Sequence, residues 1–440
     1  MDERAVVTCF LRNEGAVLLL QRSDKVGSYS GRWGAVAGHA EPRSANRRGE
    51  AAEVSPDAAA RQEIREETGL DPETDVTLIR RGEAFAVEDD DRGTRWLVHP
   101  YLFDAATRGV EPNWETSAYE WASPTAILHR ETVPDLWDSY DRVRPTVETV
   151  ATDRDHGAAY ISVRALEVLR DEAALAAQGV PAGPTSSEPA GMNSHGEGIA
   201  DVARALLDAR PSMSVVRNRV NRVMAAAGED ATRSVEHVAA TAIERSVSAD
   251  RRAAEGATEF ITDRRVATLS RSGTVLQALS LGDPEAVLVA ESRPGREGIA
   301  VAEELADETD VSLTTDAGLA NALREWNADC LLVGADTVLA DGRVVNKVGT
   351  RAASVAASFE GIEVLVTAAA DKLSPDGEID LEPRDPEEVY GGADVAVLNP
   401  TFDVAPPECI DGVVTERGVL DGTAVTEVVD QHREHARWQR

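Results

Sequence analysis

Glu63, Glu66 and Glu67 are the residues whose types and spacing most readily do chemistry. At about 100° per residue they fall near 0°, −60° and 40° around a helix, so three carboxylates share one face within one turn. Such a group repels itself unless a cation sits among its oxygens. Hard oxygen donors at this density suit Mg²⁺ or Mn²⁺, which bridge phosphate oxygens and activate water. In so acidic a chain the competing reading is a solvated acidic face. The helix that must carry the three is marked locally. Ser55 supplies a cap hydroxyl, Pro56 suits the first helical position, Asp57 meets the positive dipole end and Gly69 is a natural stop. The spacing predicts a helix from 56 to about 68.

A second group of polar residues falls where β-rich runs end. Thr268-Leu269-Ser270-Arg271-Ser272-Gly273-Thr274 follows one run, Glu291-Ser292-Arg293-Pro294 another, Gly334-Ala335-Asp336 a third and Asn399-Pro400 a fourth. Asn346-Lys347-Val348-Gly349-Thr350 opens a helix. In an open parallel sheet, ligands bind beyond the carboxyl ends of the strands. Ser270, Arg293, Asp336, Asn346 and Lys347 are therefore candidate ligand-binding residues, with the Lys347 ammonium and nearby helix amides suited to a phosphate. Taken singly, strand ends are polar because they meet water, and a Gly-Ala-Asp turn is often a helix cap.

The positioning elements divide the 440 residues into modules. Residues 5–11 and 16–21 are β-rich, with Gly15 suited to the hairpin turn between them. Runs at 76–80 and 96–103, with a polar turn at Glu88–Gly93, continue an α+β pattern to about 130. A charged, irregular stretch follows to about 155. An alanine-rich helix is expected over 156–178, a Gly/Pro/Ser connection over 179–196, and helical periodicity over 197–258. Runs at 265–269, 286–290, 331–333, 363–366, 394–398 and 412–415, mostly alternating with helices, predict a parallel, doubly wound sheet. The expected domains are 1–145, a helical region 155–258, and 259–440, each large enough to bury a core.

Composition bounds the function. Seventy-eight acidic against 45 basic residues give a formal charge of −33, and only Lys25, Lys347 and Lys372 are lysines. With 4% aromatics, this is the surface expected of a protein from a salt-loving archaeon, where dense carboxylates hold water under strong screening. No basic stripe is available to displace counterions from a nucleic acid, so an extensive nucleic-acid surface is not expected. No apolar stretch is long enough to span a membrane. Cys9, Cys330 and Cys409 are too scattered for a metal knuckle or a disulfide framework, which fits a cytoplasmic location.

Glu63-Ile64-Arg65-Glu66-Glu67-Thr68-Gly69-Leu70, with Gly31–Gly38 upstream, resembles the core of the Nudix box over about residues 4–135. The resemblance implies an α/β/α sandwich and hydrolysis of a nucleoside diphosphate linked to another group. It implies that Glu63, Glu66 and Glu67, with the backbone of Gly38, hold Mg²⁺ or Mn²⁺. In Asn113–Trp121, Glu115 is a candidate further ligand or base, with Glu120 its near competitor. Two departures stand out. Fifteen residues separate Gly38 from Val54, a longer spacer than the box has, and Val54 and Gln62 occupy the places of the box's glutamate and arginine. Glu53 and Arg61 keep the offset one position earlier, but Arg61 points about 160° from Glu63. Arg43, Arg47 and Arg48 in the inserted loop could clamp phosphates or be solvated.

Residues 155–440 resemble the translation initiation factor 2B alpha/beta/delta family, which includes the isomerases of methylthioribose 1-phosphate and ribose 1,5-bisphosphate. The carriers are Glu291–Pro294, Val333–Asp336, Asn346–Thr350 and Asn399–Pro407. The resemblance implies a helical region on a Rossmann-like domain, a nucleotide or sugar phosphate as ligand, and a homodimer or higher oligomer formed through this part. Initiation factor 2 is the partner that the regulatory branch would imply. The isomerases need a cysteine and an aspartate; Asp336 matches the aspartate, but Ser270 falls at the cysteine position. His156-Gly157-Ala158 stands where the family has a phosphate-gripping Arg-Gly-Ala. These departures favour a binding or regulatory role over isomerase chemistry, because a hydroxyl is a far poorer acid than a thiol.

Overall fold

The computed structural model describes residues 2–40, 55–179, 198–228, 231–375, 377, 379–393 and 395–440. Arg43, Arg47, Arg48, Glu53 and Val54 lie outside them, as does most of the connection expected over 179–196. The chain forms two compact units: residues 1–146 with 167–196, and residues 147–166 with 197–440.

In the first unit, β1 (Asp2–Asn13) turns through Gly15 into β2 (Ala16–Arg22). β3 (Trp33–Gly34) and β4 (Val36–His39) precede α1 (Pro56–Thr68), and β5 (Val76–Arg81), β6 (Phe85–Asp89), β7 (Thr94–Ala105) and β8 (Thr116–Ala122) follow. β1 and β7 pair in parallel from Asp2↔Thr94 to Arg12↔Asp104 and form the spine, while every other pairing in this sheet is antiparallel. Side chains alternate across β1, as a two-residue period requires. Val7, Cys9 and Leu11 pack with Ala59, Ala60 and Ile64 of α1, whereas Phe10 joins Leu19, Leu102 and Tyr140 in another cluster. β6 and β8 were not expected: β6 is only five residues long and ends in Glu88-Asp89, and β8 is mostly exposed.

After α2 (Leu136–Asp141) and α3 (Val147–Thr152) comes α4 (Ala158–Gln178). The expected division placed all of this helix in the second module. Its residues from Glu167 instead belong to the first unit. Arg12 bonds Glu167 at 3.2 Å, Arg170 donates to Gly15 O at 2.7 Å, Tyr140 reaches Asp171 at 3.3 Å, and Arg144 pairs with Glu172 at 2.8 Å. Arg12, Arg144, Glu167, Arg170 and Asp171 are all buried, and charges this deep persist only when paired.

The second unit gathers α5 (Ile199–Ala209), α6 (Ser214–Ala227) and α7 (Ala231–Thr258) before its main sheet. β9 (Arg265–Leu269), α8 (Gly273–Gly282), β10 (Ala286–Ala290), α9 (Glu297–Leu305), β11 (Val311–Thr314), α10 (Asp316–Glu325) and β12 (Cys330–Val333) alternate as expected. β13 (Thr337–Leu339), β14 (Val344–Lys347), α11 (Thr350–Glu360), β15 (Glu363–Thr367), β16 (Leu373–Ser374), β17 (Phe402–Ala405), β18 (Gly412–Thr415), β19 (Gly418–Val419) and α12 (Gly422–His435) complete it. The main sheet runs β11-β10-β9-β12-β15-β18-β19, parallel until the final hairpin. Strand order reverses between β9 and β12, which makes the space beyond their ends the topological switch point.

A four-stranded sheet, β16-β13-β14-β17, was not expected because its strands are only two to four residues long. The strand expected over 394–398 is absent among its described residues. Val395 and Leu398 are 61% and 93% exposed, so apolar letters there find no partner. Cys9, Cys330 and Cys409 are free and buried.

A fragment of residues 1–145 should melt below one of residues 1–179, because it lacks Glu167, Glu172 and Asp171, the partners of the buried Arg12, Arg144 and Tyr140. Breaking a buried pair costs about 3–5 kcal/mol. Equal midpoints in molar KCl would show that the end of α4 adds nothing to this unit.

Candidate functional site

The first site is built by α1 against β4. Ser55 accepts a hydrogen bond from Ala58 N, and Gly69 closes the helix at a φ of 75°. This fixes the phase of the helix, and Glu63 and Glu67 turn inward to 5% and 6% exposure while Glu66 stays exposed. Gly38 lets this happen. A Cβ there would overlap the Glu63 carboxylate, so the side chain lies directly on the glycine backbone. Glu67 Oε2 accepts from Ala37 N at 3.3 Å.

Burial, and then the charge of Glu63, pushes the Glu67 carboxyl up to about 8; the Ala37 amide lowers it and Glu115 adds to the rise. Two buried carboxylates with a third nearby fit a divalent cation by their chemistry. Glu66 is turned to Gln62, whose Nε2 donates to it at 2.6 Å. As the side chains stand, no group of three or more His, Cys, Asp or Glu among the described residues is arranged to hold a metal ion. Completing the expected trio requires Glu66 to leave Gln62.

Glu115 and Glu120 are separated by their surroundings. Glu115 N is held by Asn113 Oδ1 at 2.8 Å, and its carbonyl accepts from Ser23 N at 2.7 Å, which brings its charge to bear on Glu67. Glu120 pairs with Arg130 at 2.7 Å. Arg61 donates to Pro72 O and to Glu73, at 2.9 and 2.8 Å, and so engages neither Glu63 nor Glu67 in those bonds.

The second site lies at the carboxyl edge of the parallel sheet. Ser270, buried at a φ of 62°, donates its amide to Ser292 Oγ at 2.6 Å and so ties the end of β9 to the end of β10. Asp336 follows β12, and its amide donates to Val345 O at 2.9 Å beside Asn346 and Lys347. Burial raises the Asp336 carboxyl above the usual range; Lys372 and then Lys347 oppose the rise. Lys372 was missed. It is buried and donates to Ala335 O at 2.5 Å. The usable signal was rarity, since two of only three lysines act on this one aspartate.

Other expected ligands are engaged elsewhere. The Asn346 amide is buried and donates to Thr350 Oγ1 at 3.0 Å, which joins β14 to the start of α11. The Arg293 side chain is exposed, and its backbone amide donates to Asp316. The amides of Gly349 and Arg351 at the start of α11 donate to Asp403 at 2.7 and 2.9 Å, so a carboxylate already stands where a phosphate was expected. His156 packs on Tyr160 with ring centroids 4.0 Å apart and meets Asp153 at 2.9 Å.

A mixed sheet carrying a glutamate helix, followed along the chain by a doubly wound sheet with a polar switch point, defines a two-module α/β protein. Residues 1–143 match the NUDIX domain, and residues 154–422, more than half of the sequence, match the Initiation factor 2 subunit family (IF-2B), to which the chain belongs. A ribose 1,5-bisphosphate isomerase of Haloferax volcanii is 31% identical over 302 residues, covering 63% of this chain and 90% of that protein. Methylthioribose-1-phosphate isomerases of Xylella fastidiosa and Stenotrophomonas maltophilia are 35% and 31% identical over 161 and 228 residues, or 34% and 46% of this chain. The chain spans 46% and 64% of the length of these two. The crystal structure of the translation initiation factor eIF-2B from Pyrococcus horikoshii OT3 superposes with a TM-score of 0.52 at 25% identity, covering 62% of this chain and 94% of that one. No helix among the described residues is long and apolar enough to cross a membrane.

The raised Glu67 carboxyl has a signed consequence. Between its ordinary value of 4.5 and about 8 the folded chain binds more protons than the unfolded one, so folding stability falls as pH rises through that window and stays reduced above it. Glu67→Gln is neutral throughout. Without divalent metal it should raise the melting midpoint at pH 8 more than at pH 5, measured by scanning calorimetry in molar KCl with chelator. Equal shifts at both pH values would mean that Glu67 carries a compensated charge.

Proposed function

We propose that the first unit hydrolyses a phosphoric anhydride in a nucleoside diphosphate linked to another group, and that the second binds a nucleotide or sugar phosphate. The observation that carries the first half is the Glu63 and Glu67 pair, buried on Gly38 and beside the Ala37 amide in a segment that matches the NUDIX domain. A bound Mg²⁺ or Mn²⁺ would neutralise charge on the diphosphate and acidify a water. Glu63 and Glu67 would hold the ion with Glu66 once it leaves Gln62. Glu115, whose backbone is held by Asn113 and Ser23 and whose charge acts on Glu67, would take a proton from the attacking water. The Gln62 amide donates to Glu66, a bond that Glu66 would give up on turning to the ion.

The second half rests on the family match and on the isomerase relatives of residues 154–422. Asp336 beside two lysines favours a phosphorylated ligand, and its raised carboxyl suits proton exchange. That aspartate also favours a second reading, an isomerase, which Ser270 at the cysteine position opposes. A homodimer or larger assembly through the second unit, and contact with initiation factor 2, belong to the regulatory version of this proposal.

Hydrolysis of a panel of nucleoside diphosphate derivatives should require Mg²⁺ or Mn²⁺. It should fall by roughly two orders of magnitude or more in Glu63→Gln or Glu67→Gln, as loss of a charged ligand predicts. Turnover that resists chelator, or that both variants retain, rejects the metal role. In parallel, ribose 1,5-bisphosphate should remain unconverted by NMR. Sustained conversion would put the isomerase reading first.

A further inference from the structure

Three places at the carboxyl edge of the second unit's sheet attract anions, and each holds one of the chain's own carboxylates. The amides of Ser292 and Arg293 donate to Asp316 at 2.8 and 2.6 Å. Those of Gly349 and Arg351 donate to Asp403 at 2.7 and 2.9 Å. Lys347 Nζ donates to Glu297 Oε1 at 3.0 Å.

The third arrangement differs in kind. Asp316 and Asp403 each use both oxygens on two backbone amides, which ties a loop or strand to a helix start. Glu297 uses one oxygen on one side chain, and its Oε2 is buried with no partner among the described residues. Its carboxylate is folded over Gly295, where a Cβ would come within 2.7 Å of Glu297 Cδ. The Lys347 and Glu297 side chains are 20% and 27% exposed, so the pair is open to an incoming group.

We propose that Glu297 is a specificity-determining residue of this site, an internal anion held on the Lys347 ammonium that the phosphate of a ligand must displace. The inference rests on reading the second unit as a phosphate-binding module. Displacement is easier here than at the other two places, because leaving Lys347 breaks a single bond and releases an unsatisfied oxygen to water. A phosphomonoester brings about −1.5 to −2 charge and three acceptor oxygens to the ammonium, against the single charge of the carboxylate. A ligand with only one negative charge gains little over Glu297. The arrangement therefore selects terminal phosphates over phosphodiesters and carboxylates.

Titration calorimetry of ribose 5-phosphate into the full chain tests this, with thermal unfolding as a check on folding. Glu297→Gln should tighten binding by roughly tenfold or more, since a competing charge is removed and the ammonium is released. Lys347→Ala should weaken binding, and in the double variant the gain from Glu297→Gln should vanish. Glu297→Ala should reproduce the gain if charge, rather than the glutamine amide, is responsible. Binding seen only in Glu297→Gln would support the proposal most directly. If Lys347→Ala weakens binding while Glu297→Gln leaves it unchanged or weaker, the competitor role falls and the phosphate site stands. Indifference to Lys347 in both backgrounds, or no binding by any variant, overturns the site reading itself.

Discussion

A carboxylate removed from water needs a cation, an amide proton or a proton of its own, and this chain has 78 acidic side chains to place against 45 basic ones. Its buried structure can be followed as successive answers to that constraint. Arginine serves the framework. Arg219, fully buried, donates to Ser162, Asp250 and Asp371, and Arg222 grips the same Asp371. Although burial pushes the Asp371 carboxyl up, Arg222 and Arg219 hold it well below the usual range. In the first unit Arg12, Arg144 and Arg170 pair with Glu167, Glu172 and Asp171. A planar guanidinium suits such multi-point pairing, whereas an ammonium is a mobile point charge. The two lysines at the switch point stand near an aspartate that the framework leaves partly uncompensated.

The two candidate sites answer the constraint in opposite ways. At the helix of Glu63 and Glu67, burial and the Glu63 charge raise the Glu67 carboxyl against the Ala37 amide that donates to it, a balance that a cation from outside would shift. At the sheet edge the amides and one lysine already have carboxylates, which leaves an exchange of anions as the route to binding. Charge deficit in one place and charge balance in the other arise from the same acidic composition.

Much of this architecture was legible in the sequence. Ser55, Pro56 and Gly69 bounded α1 because cap chemistry is local, and the strands from 265 to 290 stood out because a strand buried on both faces reads as an apolar run. What failed was non-local. The small sheet of β13, β14, β16 and β17 has too few residues per strand to show a period, and the exposed run at 395–398 shows that apolar letters make a strand only when a partner edge exists. The glutamates were found by spacing, but the turn of Glu66 toward Gln62 depends on rotamers that spacing does not specify. Lys372 and Glu297 were missed because each acts on a residue far away in the chain, and no motif links them.

The burial of all three thiols carries a separate consequence. Cys9 is sealed in the first unit's central strand, Cys330 begins a central strand of the second unit's sheet, and Cys409 ends the short helical turn that follows β17. Burial also pushes the Cys9 and Cys330 thiols up, which keeps them protonated and unreactive in the folded chain. In the native protein Cys9 and Cys330 should therefore resist alkylating reagents, and each buried cysteine becomes a clock that starts when its own surroundings open. Mass-resolved labelling of peptides containing position 9, and of those containing 330 or 409, would time the breathing of the two units independently, without adding any probe to the sequence.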